Sequence, residues 1–227
     1  TEPVIQYRLF FFQWILPDRV LGFMLIETFT GGPFLQNGYI ATCQKSGECV
    51  IVDPGAATQQ MLKHLNAEER VVIAVILTHG HFDHIEGLGQ VREHIQAPVW
   101  LHPLDRELFD NFPVQAAQFG VQGKALSSPD KELLGKGEVI SFGQSTLKVY
   151  HTPGHSPGHI ILVNREAKIA LVGDLVFRGS VGRTDLPGGD SKVLFSSIKE
   201  HILTLPDDFK MFSGHGPATT VGHEREN

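Results

Sequence analysis

The sequence predicts an α/β fold in which two mixed sheets pack face to face and helices cover their outer sides, an αββα sandwich. Two observations lead to this prediction: strand-like apolar runs followed by a helix occur in the first half of the chain, and the same order recurs in the second half. Length is the third observation, because 227 residues are enough for one large domain and too few for two domains of ordinary size for this class.

The first half is expected to open with a strand from Met24 and a hairpin, and then to alternate strands with helices. Its clearest strand, residues 71–78, is apolar and β-branched without alternation, which is typical of a buried strand. The other elements expected are hairpin strands 34–44 and 48–55, helices 57–69 and 85–95, a strand 98–103, and a helical, loop-rich stretch to about residue 130.

The second half is expected to contain four strands, one helix and a final strand. This return of strands followed by a helix is what favours a second sheet. The strands are 137–142, 146–152, 159–164 and 168–174, the helix is 191–205, and the last strand is 209–216.

Composition excludes several classes of protein. Hydrophobic residues make up 41% and charged residues 19%, as in ordinary globular domains, so the chain is expected to fold. The formal net charge is −6 and no Lys/Arg run could follow a phosphate backbone, which argues against nucleic acid as a partner.

Residues 1–23 are rich in aromatic side chains, but their longest uncharged run, residues 9–17, is well short of the roughly 20 residues that a membrane helix needs. No membrane partner is expected. We interpret residues 1–23 as an N-terminal extension and residues 24–227 as the functional domain. The alternative is a packing or dimerisation segment, which would make the protein a homo-oligomer.

The two cysteines, Cys43 and Cys49, flank the turn of the predicted hairpin. A cross-strand disulfide could form there, but two thiols in a chain of this size are more often reduced core residues. Since neither a secretory signal nor an oxidising compartment is indicated, a cytoplasmic location is expected.

Histidines and aspartates concentrate in loops that follow predicted strands, which is where binding sites are usually built. The segments are "THGHFDH" (78–84), "HTPGHSPGH" (151–159), "VGD" (172–174) and "SGHGP" (213–217). Such a collection of imidazoles and carboxylates would repel and lose solvation unless a cation satisfied it. Nitrogen and oxygen ligands without cysteine suit Zn²⁺, and also Fe, Mn or Co. Adjacent Asp83 and His84 cannot easily share one ion with both His79 and His81, which indicates two ions.

In order and spacing, these four motifs resemble those of the metallo-β-lactamase superfamily. The segments "FRGSVGRTDLPGGD" (177–190) and "GHGPATTVGHEREN" (214–227) are most similar to single-domain glyoxalase II-like hydrolases. The resemblance implies that one metal is held by His79, His81 and His155, a second by Asp83, His84 and His215, and that Asp174 bridges both. It also implies a thioester substrate such as S-lactoylglutathione, attacked by hydroxide generated between two divalent ions.

Catalytic roles are expected for Asp174, as the bridging ligand, and for Asp83, which could help to protonate the product. Arg183 is the candidate for binding a substrate carboxylate, and the alternative is a salt bridge to Asp185. His159 is a weaker candidate for lining the substrate site.

Asp53, in "IVDPG", is expected to orient the histidine loop, with a helix cap as the alternative. Where the β-lactamases that the chain resembles would have a cysteine or serine near the second metal, this chain offers only the bridging carboxylate, which argues against antibiotic hydrolysis.

Three other functions remain open. The motifs also resemble those of persulfide dioxygenases, which implies one Fe(II) held by His79, His155 and Asp174, the two-histidine, one-carboxylate set of oxygen-activating iron. A lactonase or esterase and a non-catalytic binding module are the others.

Overall fold

The computed structural model of the protein describes residues 24–227. The extension inferred for residues 1–23 lies outside the described residues. Within them, two six-stranded sheets and one two-stranded ribbon are present, with helices on the outer sides of the large sheets. The predicted αββα sandwich is confirmed.

The first sheet is antiparallel over its first three strands and parallel thereafter, in the order β1-β2-β3-β4-β5-β6. Its strands are β1 (Met24–Gly31), β2 (Gln36–Cys43), β3 (Glu48–Val52), β4 (Val71–Ile76), β5 (Val99–Leu101) and β6 (Lys131–Glu132).

The second sheet has the order β14-β13-β10-β9-β8-β7, in which only the β10–β13 pair is parallel. Its strands are β7 (Lys136–Phe142), β8 (Ser145–His151), β9 (Ile160–Asn164), β10 (Ile169–Gly173), β13 (Lys210–Ser213) and β14 (Thr219–Thr220). The ribbon pairs β11 (Val176–Phe177) with β12 (Ser180–Val181).

Seven α-helices are described: α1 (Thr58–Ala67), α2 (Phe82–Ile85), α3 (Leu88–His94), α4 (Arg106–Asp110), α5 (Phe112–Gln118), α6 (Ser191–Ser197) and α7 (Val221–Glu226). A 3₁₀ turn, Pro103–Asp105, precedes α4, and a π-helical segment, Ile198–Ile202, continues α6.

Three apolar clusters separate the layers. The central cluster lies between the sheets, and each of the other two packs one sheet against its helices. Ile40 and Ala41 show how one strand serves two layers: Ala41 belongs to the central cluster and Ile40 to an outer one. Alternate residues of a strand face opposite sides, so a strand between two apolar layers is hydrophobic throughout.

Of the helix predicted over residues 85–95, Leu88–His94 form α3, whereas Ile85 is the last residue of α2 and Gly87 lies between these two helices. A Cβ atom at Gly87 would lie 1.9 Å from Thr58 Oγ1, and its backbone N–H donates to Pro54 O at 2.9 Å. Close packing on the loop before α1 therefore interrupts the helix.

Both cysteines are buried and free, as expected for core thiols. In the part of the chain that the structure describes, no helix has the length and apolar character needed to cross a membrane.

Candidate metal centre

The predicted metal ligands come together at one edge of the sandwich. His79 and His81 follow β4, and Asp83 and His84 lie in α2 directly beyond. The second sheet contributes the other three from three different loops: His155 after β8, Asp174 after β10 and His215 after β13. Loops that follow one strand of the first sheet and three strands of the second thus deliver side chains to one place.

The first cluster consists of His79, His81 and His155. Ligand-type atoms, one from each, lie within 4.8 Å of one another. His81 Nδ1 is 2.9 Å from His155 Nε2, and the ring of His79 packs edge-on against both of these rings. All three side chains are buried.

The second cluster consists of Asp83, His84 and His215, which also offer ligand-type atoms within 4.8 Å of one another. His215 Nε2 is 3.3 Å from Asp83 Oδ2. His84 is fully buried, whereas the other two members border open space.

Asp174 lies between the clusters. Its Oδ2 is 3.5 Å from His155 Nε2 of the first cluster and 3.5 Å from His215 Nε2 of the second. Its Oδ1 is 3.3 Å from His84 Nε2. One carboxylate therefore faces both sets of imidazoles.

Several atoms here are buried without a hydrogen-bond partner: His79 Nε2, His81 Nε2, His84 Nε2 and Asp174 Oδ1. Leaving such atoms unpaired costs about 1–3 kcal/mol each, so their concentration at one point indicates a missing partner. Divalent metal ions would satisfy these nitrogen and carboxylate donors, and the residues present fit a metal centre.

Hydrogen bonds on the far side of the rings fix their orientation. The Nδ1–H groups of His155 and His215 donate to backbone carbonyls, those of Arg183 (2.8 Å) and Phe34 (2.9 Å). His84 Nδ1–H donates to Asp53 Oδ2 at 2.9 Å. Each bond leaves Nε2 facing the centre, which is the arrangement that oriented metal-binding histidines use.

Asp53 orients a member of each cluster. Its Oδ2 accepts from His84 and, at 2.6 Å, from Thr78 Oγ1, which in turn lies 3.0 Å from His79 Nδ1. Its Oδ1 accepts from Thr78 N at 2.7 Å. Asp53 also offers a ligand-type atom within 4.8 Å of atoms of His79 and His84, but because both of its oxygens accept hydrogen bonds from the residues that they orient, we interpret Asp53 as an orienting residue. The N-cap of α1 is Ala57, so Asp53 caps no helix.

Electrostatics differ between the clusters. Burial, reinforced by neighbouring histidines, holds the pKa of His79 well below its usual range, and burial and His155 lower the pKa of His81 to about 3. Burial also opposes charge on His84, but Asp174, Asp83 and Asp53 outweigh it and raise the pKa of His84 well above its usual value. Burial opposes charge on Asp174, but His84, His155 and His215 outweigh it and hold the pKa of Asp174 far below its usual range.

His159 does not line the substrate site, and that expectation is corrected. Its side chain has 0% exposure. Nδ1 is 2.9 Å from Thr152 Oγ1, and Nε2 accepts from Asp174 N at 3.1 Å. Both ring nitrogens of His159 therefore form hydrogen bonds behind the metal ligands, and the bond from Asp174 N supports the backbone of Asp174.

A cleft of about 600 Å³ opens onto the clusters. Phe34, Phe82 and Phe119 form an aromatic group on one wall, with ring centroids 4.7–5.4 Å apart. Arg183 also lines the cleft and is the only Lys or Arg among the described residues that do so. It forms a bidentate pair with Asp185, so the salt bridge expected as the alternative is present, and binding of a substrate carboxylate stays a prediction.

Sequence reasoning missed three contributors. The aromatic group is drawn from three separate segments, so no local pattern could reveal it. His102 is the second contributor: it is buried and stacks on His151 with ring centroids 4.1 Å apart. Asp105 is the third, and a carboxylate shortly after the end of β5 is a usable signal for it.

Comparison with known proteins agrees with this centre. The sequence matches the metallo-beta-lactamase superfamily over residues 31–215. The chain belongs to that superfamily, as the motifs predicted, and it is accordingly a metal-dependent hydrolase by class.

One relative and two solved structures are similar to most of this chain. The chain is 35% identical to hydroxyacylglutathione hydrolase GloC of Haemophilus influenzae over 178 residues, which are 78% of this chain and 84% of the relative. Among solved structures, BLEG-1 B3 metallo-beta-lactamase superposes with a TM-score of 0.83 at 34% identity, covering 89% of this chain and 97% of that one. TTHA1623 in a di-iron-bound form superposes with a TM-score of 0.80 at 38% identity, covering 88% and 96%.

Proposed function

We propose that this hydrolase cleaves thioesters, glutathione thioesters such as S-lactoylglutathione among them, and that it does so with two divalent ions. The observation that carries the proposal is the set of unpartnered ring nitrogens and carboxylate oxygens around Asp174 at the base of the cleft. The first cluster would hold one ion, the second cluster the other, and Asp174 both.

When bound, the two ions would supply hydroxide at neutral pH and polarise the substrate carbonyl. The chain's own residues hold and orient that chemistry. Asp53 and Thr78 fix the rings of His79 and His84, and the backbone carbonyls of Arg183 and Phe34 fix those of His155 and His215.

Protonation of the leaving group distinguishes thioesters from other acyl substrates. Burial would raise the pKa of Asp83, but the nearby His84 and His215 outweigh it and lower that pKa. At neutral pH Asp83 is therefore a carboxylate, and it is better suited to bind metal than to donate a proton. A thiolate leaves without acid assistance, so a thioester fits this site better than an amide.

The cleft walls support the same class of substrate. Arg183 offers a guanidinium to a carboxylate such as those of glutathione, and the aromatic wall offers apolar surface. The 35% identity to hydroxyacylglutathione hydrolase GloC favours glutathione thioesters in particular.

Zinc is the first choice of metal because every donor is nitrogen or oxygen and a hydrolase needs no redox change. Iron and manganese accept the same donors. The di-iron form of TTHA1623, at 38% identity, supports iron as the alternative.

The test is an assay of metal-free protein reloaded separately with Zn²⁺, Fe²⁺ and Mn²⁺. We expect release of free thiol from S-lactoylglutathione without oxygen uptake, with the zinc form active. His223→Ala is the control variant, because that histidine is exposed and lies in α7, outside both metal clusters. Oxygen uptake with glutathione persulfide in the iron form, with no thioester cleavage in the zinc form, would instead identify a dioxygenase, because zinc cannot activate oxygen.

β-Lactam hydrolysis is a second candidate, favoured by the 34% identity to BLEG-1 B3 metallo-beta-lactamase. A chromogenic cephalosporin added to the same metal-loaded preparations tests it. Turnover faster than that of the thioester would reverse the order of the two proposals.

A further inference from the structure

Asp105 has an unusual place for a carboxylate. It is the last residue of the 3₁₀ turn after β5 and the N-cap residue directly before α4, and its side chain is buried with 0% exposure. An aspartate at the start of a helix normally accepts hydrogen bonds from that helix's first N–H groups. The side chain of Asp105 makes no such bond to α4.

Its carboxylate instead joins the two loops of the first cluster. Oδ2 accepts from Gly80 N at 2.9 Å and from Ser156 Oγ at 2.7 Å, and Oδ1 accepts from Gly158 N at 2.5 Å. Gly80 separates His79 from His81 in the sequence, and Ser156 directly follows His155. One side chain thus links the backbone beside all three members of the first cluster.

The two glycines allow this approach. A Cβ atom at Gly80 would lie 2.9 Å from the carbonyl oxygen of Asp105, and one at Gly158 would lie 2.6 Å from its nitrogen. Both are shorter than real Cβ contacts, so any larger residue would push the loops away from Asp105. The glycines of "HGH" and "SPGH" are thereby explained by their close approach to the same residue, Asp105.

The turn that carries Asp105 is itself held. His102 Nδ1 accepts from Leu104 N at 3.2 Å, and its ring stacks on that of His151. His151 Nε2–H donates to Pro157 O at 2.8 Å, in the same loop that Asp105 binds. The carboxylate therefore has little freedom to move.

We infer that Asp105 is a positioning residue that sets the separation of His79 and His81 from His155, and so the geometry of the first metal position. The inference rests on the proposed metal centre but not on the identity of the substrate. The second cluster has no bond to Asp105, so an effect confined to one metal position is expected.

The experiment compares Asp105→Asn and Asp105→Ala with the unaltered protein. Asparagine keeps the shape but replaces one acceptor oxygen with an N–H₂ group, so it leaves at least one of the three donors without its partner. We expect affinity for one of two ions to fall about 10–100-fold, as for other residues that orient metal ligands, and the visible spectrum of the cobalt-substituted protein to change.

Asp130→Ala is the matched control. Its carboxylate accepts from Val99 N at 2.8 Å and from Arg92, so it also binds the backbone near β5, but it touches no metal loop. We expect Asp130→Ala to lower the melting temperature while leaving metal content and the cobalt spectrum unchanged. If Asp105→Ala does not fold, Asp105→Asn decides the question.

Two full-affinity ions and an unchanged cobalt spectrum in Asp105→Asn would overturn the inference, as would equal losses of both ions. Thioester cleavage by the unaltered protein is a separate readout. A protein that binds two ions, responds to Asp105→Asn as expected and cleaves no thioester would retain this inference and lose the proposed substrate.

Discussion

Asp53 reaches His79 through the hydroxyl of Thr78 and reaches His84 directly, so one buried carboxylate orients a histidine from each cluster. Asp53 adopts a left-handed backbone conformation, with φ of 50°, to do so. This conformation costs free energy for a residue other than glycine, and residues in such conformations concentrate at functional sites. The relationship predicts how the two metal positions can be weakened together or separately.

Asp53→Asn is expected to weaken both metal positions by about 10–100-fold, since it removes half of the acceptor capacity behind His79 and His84. Thr78→Val interrupts only the path to His79, so it should weaken the first position alone. Chelator competition on metal-loaded protein measures both affinities. The prediction fails if Thr78→Val weakens both positions equally.

Asp174 should matter to both ions and His215 to one. The protein purified without chelators is expected to carry about two metal ions per chain by elemental analysis. Asp174→Ala should reduce both, because its oxygens face both clusters, whereas His215→Ala should leave about one. A preparation that holds no metal and takes up no Zn, Fe or Mn would contradict the ligand assignment itself.

Acid should release the second-cluster ion first. The raised pKa of His84 means that this ring carries a proton near neutral pH in the metal-free protein, and metal must displace it. The lowered pKa values of His79 and His81 leave those rings neutral there. Affinity for the second ion should therefore fall as pH drops from about 8 to 5, with a smaller change for the first. Dialysis across this pH range followed by metal analysis checks the order, and simultaneous release would contradict it.

Arg183→Ala should raise KM for glutathione thioesters by about tenfold and leave that of a small neutral thioester unchanged, because binding is lost and chemistry is not. Arg183→Lys should restore part of the loss. Asp185→Asn changes the ion-pair partner of Arg183 and should be compared with these variants, because it breaks the bidentate pair and frees the guanidinium. Equal losses on both substrates would give Arg183 a purely structural role.

The aromatic wall predicts a preference for apolar substrate groups. Phe119 is 46% exposed at the cleft, so Phe119→Ala should remove contact surface without opening the core. Loss of about 1 kcal/mol of apolar contact would raise KM about fivefold for a substrate with an apolar acyl group. Phe195→Ala, at a similarly exposed phenylalanine outside the cleft, is the control. A KM that is unchanged for acyl groups of every size would remove the wall from substrate binding.

The sequence was most informative where residues act locally. The strand 71–78 and the crowded "HGHFDH" segment after it could be recognised because apolar patterning and ligand spacing both lie within a few positions. The motifs around His155, Asp174 and His215 could be joined to it because strand-end loops of packed sheets meet at common edges.

What escaped prediction depends on contacts between distant segments. His159 looks like its neighbours in the sequence, and only packing shows that its ring lies behind Asp174. The break at Gly87 arises from contact with Thr58, which no helix propensity encodes. Strands of two residues, such as β6 and β14, carry too little pattern to be distinguished from loops.

The division of the metal ligands between the two sheets has a mechanical consequence. His79, His81, Asp83 and His84 follow a strand of one sheet, while His155, Asp174 and His215 follow strands of the other. Each cluster contains residues from both sheets, so an ion in either position would cross-link the two sheets at the edge where the ligands lie. Removal of the ions should loosen the contact between the two sheets at this edge before it loosens the apolar core. Backbone hydrogen exchange should then rise first at residues 78–84 and 152–159.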